Sequence, residues 1–165
     1  MTATIRSAIE GDVDAIRAIH NQGIADRVAT LDMPLKTPAD TRAWLTDHGP
    51  RHPVIVAELD GAIVGWASLN RFNPRPSYDF VADFSVYVDR AQRGHGIGRQ
   101  LLERLVELAG ALGYHKMVLA ALALNSAGLA LYTRVGFCRV GVYHEQGQLD
   151  GRWVDVVIME RILEC

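Results

Sequence analysis

Residues 92–99 read Gln-Arg-Gly-His-Gly-Ile-Gly-Arg and join a predicted strand to a predicted helix. Glycine has no side chain, so the backbone N–H groups of Gly94, Gly96 and Gly98 can approach an anion closely. The following helix adds its own unpaired N–H groups and the positive end of its dipole. An arginine flanks the glycines on each side. The segment therefore predicts a diphosphate site, with an ordinary glycine-rich turn as the alternative.

Two familiar diphosphate loops do not fit this segment. A Walker loop closes with Gly-Lys-Ser or Gly-Lys-Thr, and no such triplet follows these glycines. The dinucleotide fingerprint needs Gly-x-Gly-x-x-Gly in an early parallel strand–helix–strand unit, with an acid about twenty residues further on. Here the glycines alternate, and both the early unit and the acid are missing. The residues therefore favour a different diphosphate.

Strands and helices mix along the chain, which predicts an α/β fold. Asp60-Gly61 between two apolar runs is a strong hairpin signal, and Thr37-Pro38 with Asp40 is typical of a helix start. Trp44 is expected to face inward on that helix, and residues 23–36, which lack periodicity, predict a binding loop. The predicted strands are 2–5, 54–59, 63–69, 80–88, 117–124, 137–143 and 153–162, with a last turn at 147–151; the predicted helices are 12–21, 38–47, 99–113 and 126–134.

Length, charge and cysteine content limit the function. The 165 residues predict one domain spanning 1–165, and a formal net charge of −2 gives no sign of nucleic-acid or membrane binding.

Cys138 and Cys165 are too few for a disulfide framework or a zinc site, and Cys138 is expected in the core. The six histidines lack metal-ligand spacing, so no metal is expected. With no visible signal peptide and no apolar run long enough to span a bilayer, a cytoplasmic protein is expected.

The spacing Arg-x-x-Gly-x-Gly from Arg93 to Gly98, between a strand and an amphipathic helix, resembles motif A of the GNAT N-acetyltransferases. Asn125-Ser126, Leu131-Tyr132 and Gly136-Phe137 resemble the next motif of that superfamily. The resemblance covers nearly the whole chain. It implies a mixed, mostly antiparallel central sheet, splayed at the cofactor strand and flanked by helices, and acetyl-CoA as co-substrate.

Within the superfamily, the sequence resembles the phosphinothricin-type acetyltransferases. The likeness rests on Tyr78-Asp79, Val-Tyr-Val at 86–88, Gly-Arg-Trp at 151–153 with Asp155, and the stretch 19–24. It implies transfer of acetyl, by direct attack, to the α-amino group of a glutamate-like analogue such as phosphinothricin, arsinothricin, methionine sulfone or methionine sulfoximine. It also implies a homodimer. The arginines of the proline-rich loop favour the phosphinothricin and arsinothricin branch.

The resemblance also assigns cofactor residues. The backbone of the strand before the glycine loop binds the pantetheine arm in this superfamily, the loop binds the pyrophosphate, and an asparagine in the next motif completes the site. The matching residues here are Val86 and Val88 for the arm, Arg93, Gly94, Gly96, Gly98 and Arg99 for the pyrophosphate, and Asn125.

Two residues are implied for the chemistry. An α-amino group is largely protonated at pH 7, so something must take a proton before the nitrogen can attack. Phosphinothricin-type enzymes use a glutamate just before Val-Tyr-Val; the matching Asp83 is one methylene shorter, which favours a relay through water. Tyr132 falls where most of the superfamily has a tyrosine that protonates the CoA thiolate, although the phosphinothricin group often has histidine. A strand-end cap for Asp83 and a core role for Tyr132 are the alternatives.

The substrate residues implied are Arg71, Arg75, Tyr78 and Leu31. Arginine is the planar donor suited to carboxylates and other oxygenated anions, although exposed loop arginines are usually only solvated. Two other functions stay open at this point. One is a protein or peptide N-acetyltransferase of the same fold, which needs an open groove; the other is a non-catalytic CoA-binding module.

Overall fold

Seven strands form one mixed sheet in the computed structural model, which describes residues 2–32 and 34–163. Its spatial order is β1-β2-β3-β4-β5-β7-β6, and only the β4–β5 pair is parallel. The predicted mixed, mostly antiparallel sheet is confirmed. The strands are β1 Thr4–Ser7, β2 Val54–Leu59, β3 Ala62–Arg71, β4 Val81–Val88, β5 Lys116–Leu122, β6 Cys138–Leu149 and β7 Arg152–Ile162.

Helices cover both faces of this sheet because its strands alternate between two apolar clusters. On one face Leu101 and Leu105 of α3 pack with Ala67 and Phe84 of the sheet. On the other face Ile16 of α1 packs with Val56 and Trp66, and Trp44 and Leu45 of α2 pack partly buried against them. The predicted inward face of α2 is therefore confirmed. The four α-helices in the described residues are α1 Val13–Asp26, α2 Pro38–Asp47, α3 Ile97–Ala111 and α4 Ser126–Arg134.

The sheet is split at its centre. The parallel β4–β5 ladder joins Val81–Asp83 to Lys116–Val118 and ends there. Both strands continue, β4 to Val88 and β5 to Leu122, without pairing to each other. The backbone edge of β4 beyond Asp83 thus faces a cleft instead of a neighbouring strand, which confirms the splay that was expected at this strand.

Elements with strong local signals lie where the sequence predicts them. Thr37 and Asp40 form the reciprocal capping box of α2, which covers residues 38–47 as predicted. Asp60 and Gly61 both have positive φ in the turn between β2 and β3. Such local hydrogen bonds and dihedral preferences depend little on the rest of the fold.

Several boundaries differ from the prediction. Helix α1 continues five residues beyond Asn21 into the expected loop, because Gly23 and Ile24 are buried against the sheet. The expected turn at 147–151 is wrong: β6 runs on to Leu149, and only Asp150 and Gly151 form the turn, both with positive φ. Strand β1 lies two residues later than predicted, and α3 begins at Ile97 rather than 99.

Cys138 is exposed, so its predicted core position is wrong. It begins β6, whose first three residues are all exposed. Cys165 lies outside the described residues. None of the described helices is both long enough and apolar enough to cross a bilayer.

Candidate active site

A cavity of about 320 Å³ opens where β4 and β5 separate. Its walls come from β4, β5, α4 and the loop after α1. The sequence-predicted residues that line it come from three distant parts of the chain and are Leu31, Asp83, Val86, Asn125 and Tyr132. The split in the sheet therefore brings both residues implied for the chemistry into one cavity.

Asp83 lies at the last paired position of β4, directly opposite Asn70 of β3. Its side chain is partly buried, and the loss of solvent raises its pKa to about 6. The backbone N–H of Phe84 and the side chain of Asn70 donate hydrogen bonds that oppose this rise. The carboxylate is thus mostly ionised at pH 7, yet basic enough to accept a proton.

Replacing Asp83 by asparagine is expected to stabilise the protein above pH 6. The pKa of the Asp83 carboxyl is about 6 in the folded chain, whereas an unperturbed aspartate, as in the unfolded chain, has a pKa of 3.8. Between about pH 4 and 6 the folded chain therefore keeps a proton on Asp83 that the unfolded chain loses. Wild-type stability therefore falls as pH rises through that window, by about 1–3 kcal/mol, and the variant escapes this loss. Urea unfolding from pH 4 to pH 8 measures the free energy of unfolding of the two proteins. If the stability advantage of the variant does not grow with pH, burial does not raise the pKa of Asp83.

Tyr132 projects from α4 beside the aromatic part of the core. Its ring lies 5.7 Å from that of Phe84 and 6.5 Å from that of Phe137, in edge-on arrangements. Burial raises the pKa of the phenol to about 12, and the nearby Tyr87 and Asp83 add to the rise. The hydroxyl is therefore protonated at neutral pH and is able to donate a proton or a hydrogen bond.

A chain of polar side chains behind Asp83 was not found from the sequence. Asn70 Nδ2 donates to Ser85 Oγ at 3.0 Å, and Ser68 Oγ donates to Asn70 Oδ1 at 2.9 Å. His48, the C-cap of α2, reaches the same amide oxygen, with Nε2 at 3.0 Å. The only sequence signal is that positions 68 and 70 are polar at alternate places in an otherwise apolar strand, which puts them on one face.

A second cavity, of about 740 Å³, adjoins the first and shares Asp32, Ser85 and Tyr87 with it. It lies between the sheet and α2. Three aromatic side chains line one part of it: the rings of Trp66 and Tyr87 stack with centroids 4.9 Å apart, and Trp44 meets Trp66 edge-on at 5.0 Å. The other lining residues include the charged Asp32, Lys36, Asp40 and Asp47. Together the two adjoining cavities extend from the split in the sheet to α2.

Tyr87 owes its place to a glycine in α1. A Cβ at Gly23 would come within 2.7 Å of the Tyr87 ring, so only glycine lets the helix approach this closely. The sequence alone gave Gly23 no such role.

The glycine loop has the geometry of an anion site. Gly94 and Gly96 have φ values of +82° and +80°, a conformation that glycine adopts freely. Gly96 is the N-cap of the fifteen-residue helix α3, so the unpaired N–H groups of the first turn lie at this loop. A Cβ at Gly98 would touch the side chains of Leu131 and Val88, which places the helix start against both α4 and β4.

The two loop arginines differ in their surroundings. Arg93 donates to Asp26 Oδ2 at 2.9 Å and to the carbonyl of Val88 at 3.3 Å. Arg99 is exposed and pairs with Glu103 one turn further along α3. Asp26, at the end of α1, also pairs with Arg90 and was not found from the sequence. It holds the positive charge of both Arg90 and Arg93 beside the loop.

Asn125 has a clear local role. It is the N-cap of α4, and its side-chain oxygen accepts a hydrogen bond from the Gly128 N–H at 3.0 Å. This cap fixes the start of the helix that carries Tyr132, and Asn125 also lines the smaller cavity.

The proline-rich loop, which carries Arg71 and Arg75, lies apart from both cavities. Arg71 ends β3, paired with Ala82, and is exposed. Arg75 and Tyr78 lie in the short segment before β4 and are also exposed, with the Tyr78 ring packed on Phe72 at 5.6 Å. None of the three lines either cavity among the described residues, so the structure does not bring them together with Asp83 and Tyr132.

The chain is similar to known acetyltransferases over almost its whole length. A sequence model of the acetyltransferase (GNAT) family matches residues 17–137. The L-methionine sulfoximine/L-methionine sulfone acetyltransferase of Pseudomonas aeruginosa is 35% identical, over 99% of this chain and 96% of that protein. A GNAT superfamily phosphinothricin acetyltransferase from Sinorhizobium meliloti, solved with acetyl-CoA, has a TM-score of 0.95 at 32% identity, over 99% of this chain and 89% of that one. A ribosomal-protein-alanine N-acetyltransferase from Brucella melitensis has a TM-score of 0.94 at 36% identity, over 97% and 99% of the two chains.

Proposed function

Because the chain belongs to the acetyltransferase (GNAT) family, we propose that it acetylates the α-amino group of a small glutamate-like amino acid analogue. It is an N-acetyltransferase, and acetyl-CoA is its co-substrate. The observation that carries the proposal is the meeting of Asp83 and Tyr132 in one cavity at the split in the sheet. Acetyl transfer to an amine needs a base that takes a proton from the amine and an acid that protonates the departing thiolate. Asp83 can serve as the base and Tyr132 as the acid.

In the proposed complex the cofactor follows β4 and ends at α3. The pantetheine arm pairs with the backbone of Val86 and Val88 on the edge of β4 that faces the cleft. The pyrophosphate lies at the start of α3, where the loop backbone and the helix dipole favour negative charge. The loop residues proposed to contact it are Arg93, Gly94, Gly96, Gly98 and Arg99, with Asn125 on the opposite wall of the cleft.

The proposed reaction is a direct attack on the thioester. Asp83 takes a proton from the substrate ammonium, directly or through a water, and the neutral nitrogen attacks the acetyl carbonyl carbon. The C–N bond forms, the C–S bond breaks, and the thiolate takes its proton from Tyr132. The nitrogen loses its second proton as the amide forms; this proton restores the phenol of Tyr132, and Asp83 releases its own proton to solvent. As negative charge develops on the carbonyl oxygen, the backbone N–H of Val86 donates a hydrogen bond to it. The products are the N-acetyl amino acid and CoA.

Replacing Tyr132 by phenylalanine is expected to lower kcat about 10- to 100-fold, with little change in KM for acetyl-CoA, because the thiolate loses its proton donor. Tyr143→Phe makes the same chemical change at an exposed position of β6 and serves as the matched control. Steady-state release of the CoA thiol measures both variants. Equal rates for the two would remove Tyr132 from the reaction.

The choice of acceptor rests on the relatives and on the size of the two cavities. Relatives are named as acetyltransferases of phosphinothricin and of methionine sulfoximine and sulfone. The two adjoining cavities, of about 320 and 740 Å³, are of a size that suits small-molecule ligands. Arg71, at the end of β3, is proposed to bind the acidic head of the substrate from the rim, because its planar guanidinium suits oxygenated anions. Arg75 and Tyr78 are proposed as further rim residues, and Leu31 as a wall of the smaller cavity.

A panel of acceptors tests this proposal. Thiol release is measured with phosphinothricin, arsinothricin, methionine sulfone, methionine sulfoximine and a peptide with an N-terminal alanine. Turnover of one or more amino acid analogues at a higher kcat/KM than the peptide supports the proposal. Turnover of the peptide alone contradicts it and favours a protein acetyltransferase, the second candidate, which the similarity to the Brucella protein supports. Tight acetyl-CoA binding without any turnover would favour the non-catalytic module.

A homodimer and a cytoplasmic location remain part of the proposal. Sedimentation of the purified chain and fractionation of the source cells test them. A monomer at micromolar concentration would contradict the first.

A further inference from the structure

We propose that His48, acting through Asn70, is a positioning residue that holds Asp83 in its ionised form. The inference rests on the proposed function in one respect, the role of Asp83 as the base. Its evidence is a run of hydrogen bonds that connects α2 to β4 across the end of β3.

The first step is the proton on His48 Nδ1. This nitrogen lies 2.8 Å from the backbone carbonyl oxygen of Trp44. A carbonyl oxygen only accepts hydrogen bonds, so Nδ1 must carry a proton and donate it. Whether the ring is neutral or charged therefore depends on whether Nε2 accepts or donates a hydrogen bond.

The second step is the orientation of Asn70. Its amide nitrogen donates to Ser85 Oγ and to the carboxyl group of Asp83, which lies directly opposite on β4. A carboxylate accepts only, so an ionised Asp83 fixes the NH₂ group on its own side. The amide oxygen must then point the other way, toward Ser68 and His48.

The third step follows from the other two. Nε2 of His48 lies 3.0 Å from the amide oxygen of Asn70, which only accepts. Both ring nitrogens must therefore donate, and the network is complete only when His48 is an imidazolium. With His48 charged and Asp83 ionised, every polar atom of the Asn70 side chain has a partner, and the positive charge favours the carboxylate.

Several other charged groups lie near this run. Burial lowers the pKa of His52, and the nearby His48, Arg51 and Arg71 lower it further. The ring of His52 lies 6.5 Å from that of His48, and both line a separate cavity of about 430 Å³ with Glu10 and Arg42. Asp47 precedes His48 on α2 and lines the larger of the two site cavities. Asp32, Tyr87 and Tyr132 are titratable groups that line the smaller cavity with Asp83. Of these residues, His48 alone bonds directly to Asn70, so the two histidines can be separated by experiment.

The test compares His48→Gln with His52→Gln. Glutamine keeps a donor for Asn70 but has no charge, so His48→Gln is expected to move the titration of the Asp83 carboxyl upward by about 0.5 to 1 on the pH scale. NMR of the carboxyl carbon in the free enzyme measures this without any acceptor. The acid limb of kcat/KM should move by the same amount, while the rate at pH 8.5 stays near that of wild type, which also shows that the variant is folded. Asn70→Ala should produce a shift in the same direction.

Two results would overturn the inference. One is an Asp83 titration in His48→Gln that matches wild type. The other is an equal shift in His52→Gln, which would indicate a general effect of charge and not the contact with Asn70. The proposed function fails separately, since it requires Asp83→Asn to lose activity whatever His48 does.

Discussion

Replacing Asp83 by asparagine is expected to lower kcat/KM for the amine acceptor by about 10²- to 10⁴-fold at pH 7. The asparagine side chain has nearly the same shape but cannot accept the proton that the substrate ammonium must lose. Its neighbours Asn70 and Phe84 would still find a hydrogen-bond acceptor in the amide oxygen, so the cavity should keep its form. The loss is therefore chemical, and KM for acetyl-CoA should change little.

The pH dependence gives a second test of the same variant. The wild-type rate should fall below about pH 6, because Asp83 is then protonated and cannot act as a base. This fall in rate at low pH should disappear in the variant. Part of the lost rate should return at high pH, where more of the substrate is present as the free amine. Asp60→Asn is the matched control, since it makes the same change at the β2–β3 turn, where asparagine tolerates the positive φ. A variant that keeps the wild-type limb would show that another group is the base.

Replacing Gly96 by valine is expected to raise KM for acetyl-CoA about 100-fold, which corresponds to about 3 kcal/mol of binding. The residue has a φ of +80°, which a β-branched side chain strongly disfavours. Relief of that strain would turn the first N–H groups of α3 away from the pyrophosphate. The added side chain would also occupy open space at the loop, where no atom lies within 4 Å of the ideal Cβ.

Gly113→Val is the control for this second prediction. Gly113 has a φ of +86°, also has open space around its ideal Cβ, and follows the far end of α3. Both variants should lose similar stability in thermal unfolding, but only Gly96→Val should lose acetyl-CoA binding, as measured by calorimetry. Equal affinities in the two variants would place the pyrophosphate elsewhere.

The sequence by itself determined the features that depend on short stretches of chain. The capping box of Thr37 and Asp40, the Asp60-Gly61 turn and the loop with Gly94 and Gly96 all lie where they were predicted. In each case the deciding interaction joins residues only a few positions apart, or is a dihedral preference of one residue. The two spaced motifs then sufficed for the family and its cofactor.

Only the tertiary structure decided which side chains meet. Asn70 reaches Asp83 because β3 and β4 pair in one particular register, and a slip of one residue would send its side chain to the other face of the sheet. His48 reaches Asn70 only because α2 packs on that face. Cys138 is exposed with the other residues at the start of β6, which its apolar neighbours in sequence did not indicate. Registers and packing faces are set by burial summed over distant segments, so no short pattern in the chain specifies them.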